Sequence, residues 1–156
     1  MSKTSRRRRP KGPPSNSAAS DQQGIVEAIE FAHTLTDGPV VAGGHSYGGR
    51  MTSMVAAQGA DLAALTLFSY PLHPPGKPER ARTEHLGQIK VPTVFTHGTA
   101  DPFGSIDELT AAAQLIPAPT ELIEITGARH DLGSKTLDVP ALAVAAALVF
   151  VARSGT

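Results

Sequence analysis

A serine flanked by glycines is the first feature of this chain that suggests chemistry. Gly44-His45-Ser46-Tyr47-Gly48 fits the pattern G-x-S-x-G and follows the apolar residues 40–42. The pattern is typical of a sharp strand-to-helix turn that strains the serine backbone and presents its hydroxyl outward. We expect both flanking glycines to be needed, because a Cβ there would collide with the adjacent strand or helix. The backbone N–H of Tyr47, at the start of the next helix, would face the negative charge that develops on an attacked carbonyl.

Two further loops carry the partners that a serine nucleophile needs. A serine hydroxyl is a poor nucleophile near neutral pH, so an imidazole must take its proton and a carboxylate must orient that imidazole. Asp101 follows the apolar segment 91–97, and His130 follows the alternating segment 121–126. In a parallel sheet, ligands bind at the carboxyl ends of the strands. We therefore predict Ser46 as nucleophile, His130 as general base and then acid, and Asp101 as the residue that orients His130.

Other assignments of these roles stay open from the residues alone. His97 competes as the base, but it ends a predicted strand and is expected to pack or to cap the turn before Asp101. Asp131 competes as the carboxylate, although a direct neighbour in sequence rarely reaches the adjacent imidazole. Asp101 itself fits a simple Asp-Pro turn. A metal ion held by His97, Asp101 and His130 is the remaining alternative, without any H-E-x-x-H pair to support it.

The elements that would position these residues alternate along the chain. Apolar residues at helical spacing predict helices over 21–36, 47–58, 105–116 and 139–152, and apolar or alternating segments predict strands over 40–43, 62–70, 91–97 and 121–126. Ser20 and Gln23 resemble a capping box, and the apolar residues 140–152 predict a buried last helix. The Pro-rich segment 71–90 predicts a long loop, either a lid or a plain connector. The alternation predicts an α/β fold of about four parallel strands with helices on both faces.

Composition and charge limit the classes of protein to consider. The 156 residues suffice for one domain, and 40% hydrophobic residues favour a folded one, predicted over residues 20–153. Six of the 14 basic residues stand before residue 12, and the first acidic residue is Asp21. We expect residues 1–19, which are basic and rich in Pro and Ser, to be loop or disordered. Outside that tail the chain is acidic, and we do not expect it to bind nucleic acid.

The absence of cysteine and the distribution of apolar residues indicate where in the cell the protein is expected. No cysteine is present, which excludes disulfide bonds and thiolate metal ligands and fits a reducing environment. No apolar segment follows the N-terminal arginines, as it would in a secretory signal peptide. The apolar residues 140–152 are too few to cross a bilayer as a helix. We therefore expect no membrane contact and a cytoplasmic location.

Four segments together resemble the α/β-hydrolase superfamily. They are residues 43–50 around Ser46, 68–78, 97–104 around Asp101, and 127–131 around His130. The branch that they resemble most is that of the small dienelactone-hydrolase-like proteins, whose relatives include a subunit of a chromatin-modifying complex. The resemblance covers about residues 21–152. It implies a triad of Ser46, Asp101 and His130 that hydrolyses an ester or related acyl compound without a cofactor.

The chain departs from that family ahead of the serine. An α/β-hydrolase normally places several strands there, and one of their loops gives a second N–H to the oxyanion hole. Fewer than forty residues precede Val40, so we expect the chain to correspond to the C-terminal part of such a domain. The strand over 40–43 would then be a sheet edge with unpaired backbone groups, open to a second copy or a partner chain.

Two hypotheses about function follow. The first is a serine hydrolase that acts on an ester, lactone or thioester through an acyl-enzyme on Ser46, with a small acyl compound as substrate. The second is a non-catalytic interaction module, or an inactive fragment of a longer hydrolase, that keeps the turn at Ser46 as architecture. Such a module would bind a partner through the sheet edge and Arg6 to Arg9.

Overall fold

Helices and strands alternate along the chain, and the strands form one sheet. The computed structural model describes residues 17–134 and 136–154. The helices are α1 (Ser17–Leu35), α2 (Tyr47–Ala57), α3 (Ile106–Ala113) and α4 (Val139–Ser154), and the strands are β1 (Val41–His45), β2 (Ala64–Phe68), β3 (Thr93–Gly98) and β4 (Thr120–Ile125). Each strand is parallel to its neighbour, in the order β1-β2-β3-β4. The predicted α/β fold with four parallel strands is confirmed.

Helices cover both faces of this sheet. Leu67 and Phe95 belong to the largest core cluster, which they form with apolar residues of α1, α2 and α3. Val94 precedes Phe95 and therefore points to the opposite face, where it packs against Ala147 and Phe150 of α4. All six residues of β3 are buried as a result. This double burial fits the largely apolar sequence of β2, whereas β3 also buries the polar residues Thr93, Thr96 and His97.

β1 forms an open edge of the sheet within the described part of the chain. It pairs there with β2, and its residues alternate between exposed and half-buried. A groove of about 530 Å³ lies along this edge on the α4 side, lined by Gly43, Val144 and Leu148 among others. A second groove, of about 260 Å³, lies on the α1 side and is lined by Ile25 and Ala28. The edge is thus flanked by apolar side chains on both faces.

The start of α1 differs from the prediction. The helix already includes Ser17, so residues 17–19 are helical rather than loop. Ser20 lies inside the helix and cannot be its N-cap, and Gln23 donates instead to the carboxylate of Glu27 at 3.0 Å. The predicted capping box at Ser20 is therefore wrong. The prediction for residues 1–16 lies outside the described residues.

α4 is buried along one face only. Ala143 and Ala147 are buried against the sheet, whereas Val144 and Leu148 are 53% and 58% exposed. The prediction of a buried last helix is correct for the face toward the sheet and wrong for the other. Within the described residues, no helix combines the length and the apolar character that a membrane-spanning helix requires.

The Pro-rich segment 71–90 is a packed connector between β2 and β3. Its only regular structure is two short 3-10 turns, Pro78–Arg80 and Leu86–Gln88. Leu86 and Ile89 are fully buried in the main core. The hydroxyl of Tyr70 donates to the carbonyl of Arg82 at 2.7 Å, and burial raises the pKa of Tyr70 to about 12. Of the two predictions for this segment, the connector fits these contacts and the lid does not.

Candidate active site

Ser46 stands in a strained turn between β1 and α2. Its φ of 53° and ψ of −121° lie outside the usual regions for a residue with a Cβ. The N–H of Ser46 donates to the carbonyl of Phe68 on β2 at 2.8 Å, and the carbonyl of Ser46 accepts from the N–H of Arg50 on α2 at 3.0 Å. The sheet and the helix therefore hold the residue from both sides, which is what lets a strained backbone persist.

Glycines allow β1 and α2 to approach each other closely at this turn. A Cβ on Gly44 would lie 2.7 Å from the backbone N of Gly49, and one on Gly49 would lie 2.5 Å from the carbonyl O of Gly44. A Cβ on Gly48 would meet no atom within 4 Å outside its own helix. The prediction that both glycines of the pattern are needed is correct for Gly44 and wrong for Gly48. The second glycine required by contact is Gly49.

The structure brings the three predicted side chains together at the C-terminal edge of the sheet. Nε2 of His130 lies 2.7 Å from Oγ of Ser46, and Nδ1 of His130 lies 2.8 Å from Oδ2 of Asp101. Because a carboxylate only accepts, Nδ1 carries the proton of this pair. In the neutral ring Nε2 is then the acceptor and takes the hydrogen bond from the serine hydroxyl. Loops after β1, β3 and β4 thus align a hydroxyl, an imidazole and a carboxylate.

The surroundings of Asp101 and His130 differ. The side chain of Asp101 is completely buried, whereas that of His130 keeps 25% of its exposure. Oδ1 of Asp101 accepts from the N–H of Phe103 at 2.9 Å, so both carboxylate oxygens have partners. The ring of Phe103 also lies against that of His130, with centroids 4.3 Å apart. The carboxylate is therefore fixed away from water, and the imidazole stays within reach of a substrate.

His97 and Asp131 make contacts that differ from the roles left open for them. His97 is fully buried, and its Nε2 donates to the carbonyl of Gly104 at 2.9 Å, which anchors the loop that follows Asp101. Asp131 is exposed and accepts from the N–H of Gly133 at 3.1 Å. Within residues 17–134 and 136–154, no group of three or more His, Asp or Glu side chains is arranged to hold a metal ion. The contacts of Asp101 and His130 favour the triad over the alternatives.

A family model covers most of the chain. Residues 1–141 match the model of the alpha/beta hydrolase domain. The chain belongs to this α/β-hydrolase family. The predicted resemblance to the superfamily is thereby confirmed.

Solved α/β-hydrolase structures share this fold at low sequence identity. The esterase domain of a Rhodothermus marinus protein is similar with a TM-score of 0.64 and 15% identity, over 83% of this chain and 68% of that one. A monoacylglycerol lipase of Paleococcus ferrophilus has a TM-score of 0.67 and 13% identity, over 86% and 75%. A dienelactone hydrolase of Anabaena variabilis has a TM-score of 0.60 and 23% identity, over 81% of this chain and 56% of the enzyme. Identities in this range establish a shared fold alone.

The backbone N–H of Tyr47 is the predicted oxyanion donor. Tyr47 is the first residue of α2, and a helix N-terminus favours negative charge through its N–H groups and its dipole. The Tyr47 hydroxyl donates to Oδ2 of Asp21 at 2.8 Å and so ties α1 to the turn. In other α/β-hydrolases a loop after an earlier strand supplies a second N–H. No strand lies on the outer side of β1 in the part of this chain that the structure describes, so that loop has no counterpart there.

His45 is a contact residue of the site that the sequence analysis did not single out. Its Nε2 lies 2.7 Å from the main-chain O of His130, and the two imidazole rings are 5.2 Å apart. The pattern G-x-S-x-G leaves this position free, so the motif gives no indication of a role. A polar residue at the end of an otherwise apolar strand is the one sign of it in the sequence.

A second pair of histidine and carboxylate lies close to the loop that carries Asp101. The N–H of His73 donates to the carbonyl of Phe103 at 3.0 Å, and Nε2 of His73 lies 3.3 Å from Oε2 of Glu108. Hydrogen bonding to the carbonyl of Pro74 and to Glu108 raises the pKa of His73. Hydrogen bonds from the N–H and hydroxyl of Ser105 lower the pKa of Glu108 to about 2 and close a capping box at the start of α3. This network anchors the loop after Asp101.

Proposed function

We propose that this chain is a serine hydrolase that cleaves an ester, a lactone or a thioester through an acyl-enzyme on Ser46. The observation that carries the proposal is the hydrogen-bonded row from Ser46 Oγ through His130 to Asp101, with distances of 2.7 and 2.8 Å. Membership of the α/β-hydrolase family supports it. The esterase and the lipase among the structures of similar fold add support at the level of architecture.

The first half of the proposed reaction acylates the serine. His130 Nε2 takes the hydroxyl proton as Ser46 Oγ attacks the carbonyl carbon, and the carbonyl oxygen becomes an oxyanion. The N–H of Tyr47, at the N-terminus of α2, stabilises that charge. The tetrahedral intermediate collapses, the bond to the leaving alcohol or thiol breaks, and the imidazolium returns its proton to the leaving group.

The second half releases the acyl group. His130 removes a proton from water, which attacks the acyl carbon, and the proton then passes to Ser46 Oγ as the carboxylic acid leaves. Asp101 accepts from Nδ1 throughout, which keeps the basic nitrogen directed at Ser46 and stabilises the transient imidazolium. Its complete burial strengthens that interaction, since little water competes for the carboxylate.

An active-site-directed fluorophosphonate tests this proposal directly. We expect the wild-type protein to be labelled and Ser46→Ala to be unlabelled. Ser53→Ala is a matched control, because Oγ of Ser53 also lies 2.8 Å from a histidine nitrogen, Nε2 of His85, but Ser53 is completely buried. That variant should be labelled like the wild type. Equal labelling of wild type and Ser46→Ala, or no labelling of a folded wild type, would contradict the proposal.

The open edge of the sheet favours a second candidate, a non-catalytic interaction module. Val41 on β1 is 37% exposed, and apolar residues of α1 and α4 line the grooves on either side of the edge. An unpaired edge of this kind accepts an extended segment of another chain. A binding module does not require Ser46, His130 and Asp101 to be aligned, whereas a hydrolase does. Because these side chains are aligned, we rank the hydrolase first. Turnover of an activated ester by a strictly monomeric sample, measured with light scattering, would exclude the module.

A further inference from the structure

A side-chain hydrogen bond links the strand of the nucleophile to the main chain of the base. His45 ends β1 and is the direct neighbour of Ser46, and its Nε2 lies 2.7 Å from the carbonyl O of His130, 85 positions away in sequence. A carbonyl oxygen only accepts, so Nε2 of His45 carries the proton and donates. This hydrogen bond therefore connects the residue before Ser46 to the main chain of His130, in addition to the contact between the side chains of Ser46 and His130.

The other anchors of the His130 loop that are described tie it to elements other than β1. On its first side, the N–H of Gly127 donates to Oγ1 of Thr99 at 2.9 Å, and the carbonyl of Ala128 accepts from the N–H of Ala100 at 3.0 Å. Both of these contacts tie the loop to β3 and its following turn. On the other side, Leu132 is buried in a small apolar cluster that includes Ile125 of β4 and Val139 of α4, and residues 133, 134 and 136–138 are exposed. The contact with His45 ties the loop to β1, the strand that leads directly into Ser46.

We propose that His45 is a positioning residue for His130, and this inference rests on the proposed hydrolase function. The hydrogen bond holds the main chain of His130 against β1, so that Nε2 of the base stays in reach of Ser46 Oγ. A displacement of about 1 Å in such a geometry can lower the rate about a hundredfold. His45 itself touches no reacting atom in this mechanism. Its loss should therefore lower kcat and the rate of acylation while leaving KM nearly unchanged.

Two substitutions at His45 separate this role from a general contribution to folding. His45→Leu removes the donor and substitutes an apolar side chain, whereas the amide of His45→Gln reaches about as far as Nε2 and keeps a donor. We expect His45→Leu to lower kcat for p-nitrophenyl acetate about tenfold to a hundredfold, with KM within about threefold of wild type. His45→Gln should recover most of this loss. Because His45 is exposed, neither variant should lower the melting temperature appreciably.

His33 provides a matched control at the other end of the sheet. Its Nε2 also lies within hydrogen-bond distance of a main-chain carbonyl, that of Asp61 at 2.9 Å, and joins elements distant in sequence. His33→Leu should leave kcat and KM as in the wild type. An equal loss of kcat in His33→Leu and His45→Leu, or in His45→Leu and His45→Gln, would overturn the proposal.

A spectroscopic readout distinguishes failure of this inference from failure of the proposed function. The proton on Nδ1 of His130, shared with Asp101, should give a far-downfield NMR signal in the wild type. We expect that signal to persist in His45→Gln and to broaden or disappear in His45→Leu. If the wild type shows the signal and the expected response to substitution but hydrolyses no ester, positioning stands and the hydrolase proposal fails. If His45→Leu keeps both a sharp signal and wild-type kcat, the positioning role is refuted.

Discussion

The two carboxylates nearest to His130 in structure and in sequence, Asp101 and Asp131, are distinguished by their surroundings and not by their chemistry. Asp101 is enclosed, with one oxygen on His130 Nδ1 and the other on the N–H of Phe103. Asp131 directly follows His130, yet it is exposed and accepts a hydrogen bond from the N–H of Gly133 in its own turn. Since only the enclosed carboxylate faces the imidazole, only Asp101 can select the tautomer that leaves Nε2 free to accept.

Replacing each of these carboxylates by its amide tests that distinction. We expect Asp101→Asn to lower kcat by about 10³- to 10⁴-fold, because an amide donor facing Nδ1 favours the wrong tautomer of His130. Asp131→Asn should change kcat by less than about twofold, as expected for an exposed group outside the relay. Turnover of an activated ester, with circular dichroism to confirm folding, provides the measurement. Similar losses in the two variants would argue against Asp101 as the orienting carboxylate.

The three residues of the proposed triad could be predicted from the sequence, but the contacts that support them could not. Ser46 lies in a recognisable pattern, and Asp101 and His130 each follow a predicted strand. Because the carboxyl ends of parallel strands lie at the same edge of a sheet, the three residues are expected there. His45 occupies a position that the pattern leaves free, and its partner is a main-chain carbonyl in a distant loop. Every residue has a main-chain carbonyl, so the residue type of the partner does not indicate this contact. It can be identified only from the structure.

At the scale of elements, the periodicity of apolar residues predicted which elements exist and in what order, whereas local contacts decide where they begin. Ser20 and Gln23 have the residue types of a capping box, but the helix continues through them to Ser17. The capping box that does form is at Ser105 and Glu108, where the side chain of Ser105 accepts from the N–H of Glu108 at 3.2 Å. A cap depends on the backbone leaving the helix at that residue, which the residue types alone do not specify.

The junction of β1 and α2 leads to a prediction about glycines. Gly49→Ala should destabilise the fold by about 1–3 kcal/mol, because its Cβ would press on the carbonyl of Gly44 and overpack a closely packed contact. Gly48→Ala should be neutral or stabilising by up to about 1 kcal/mol, since its Cβ enters open space and alanine favours helix. Chemical denaturation of both variants measures the difference. A larger loss at Gly48 than at Gly49 would contradict the close approach described here.

At the scale of the whole molecule, the side of α4 that faces away from the sheet carries exposed apolar side chains. Its exposed residues include Leu142, Val144, Leu148 and Val149, and two of them, Val144 and Leu148, are four positions apart and therefore adjacent on the helix surface. The sequence could not separate this face from the buried one, because residues 140–152 are apolar around the whole circumference of the helix. A helix that is apolar all round is normally buried all round, and here the sheet covers only one side of it.

Charged substitutions on α4 test this division. Leu148 is 58% exposed, so Leu148→Lys should change the free energy of unfolding by less than about 0.5 kcal/mol. It should also lower the binding of a hydrophobic dye and the apparent mass in light scattering at high concentration, because exposed apolar patches promote association. Ala147 precedes Leu148 but lies on the buried face and is 2% exposed. Ala147→Lys should therefore lower the free energy of unfolding by several kcal/mol or prevent folding. If Leu148→Lys were as damaging as Ala147→Lys, the outer face of α4 would have to be covered in solution, which would favour the interaction module over an isolated hydrolase.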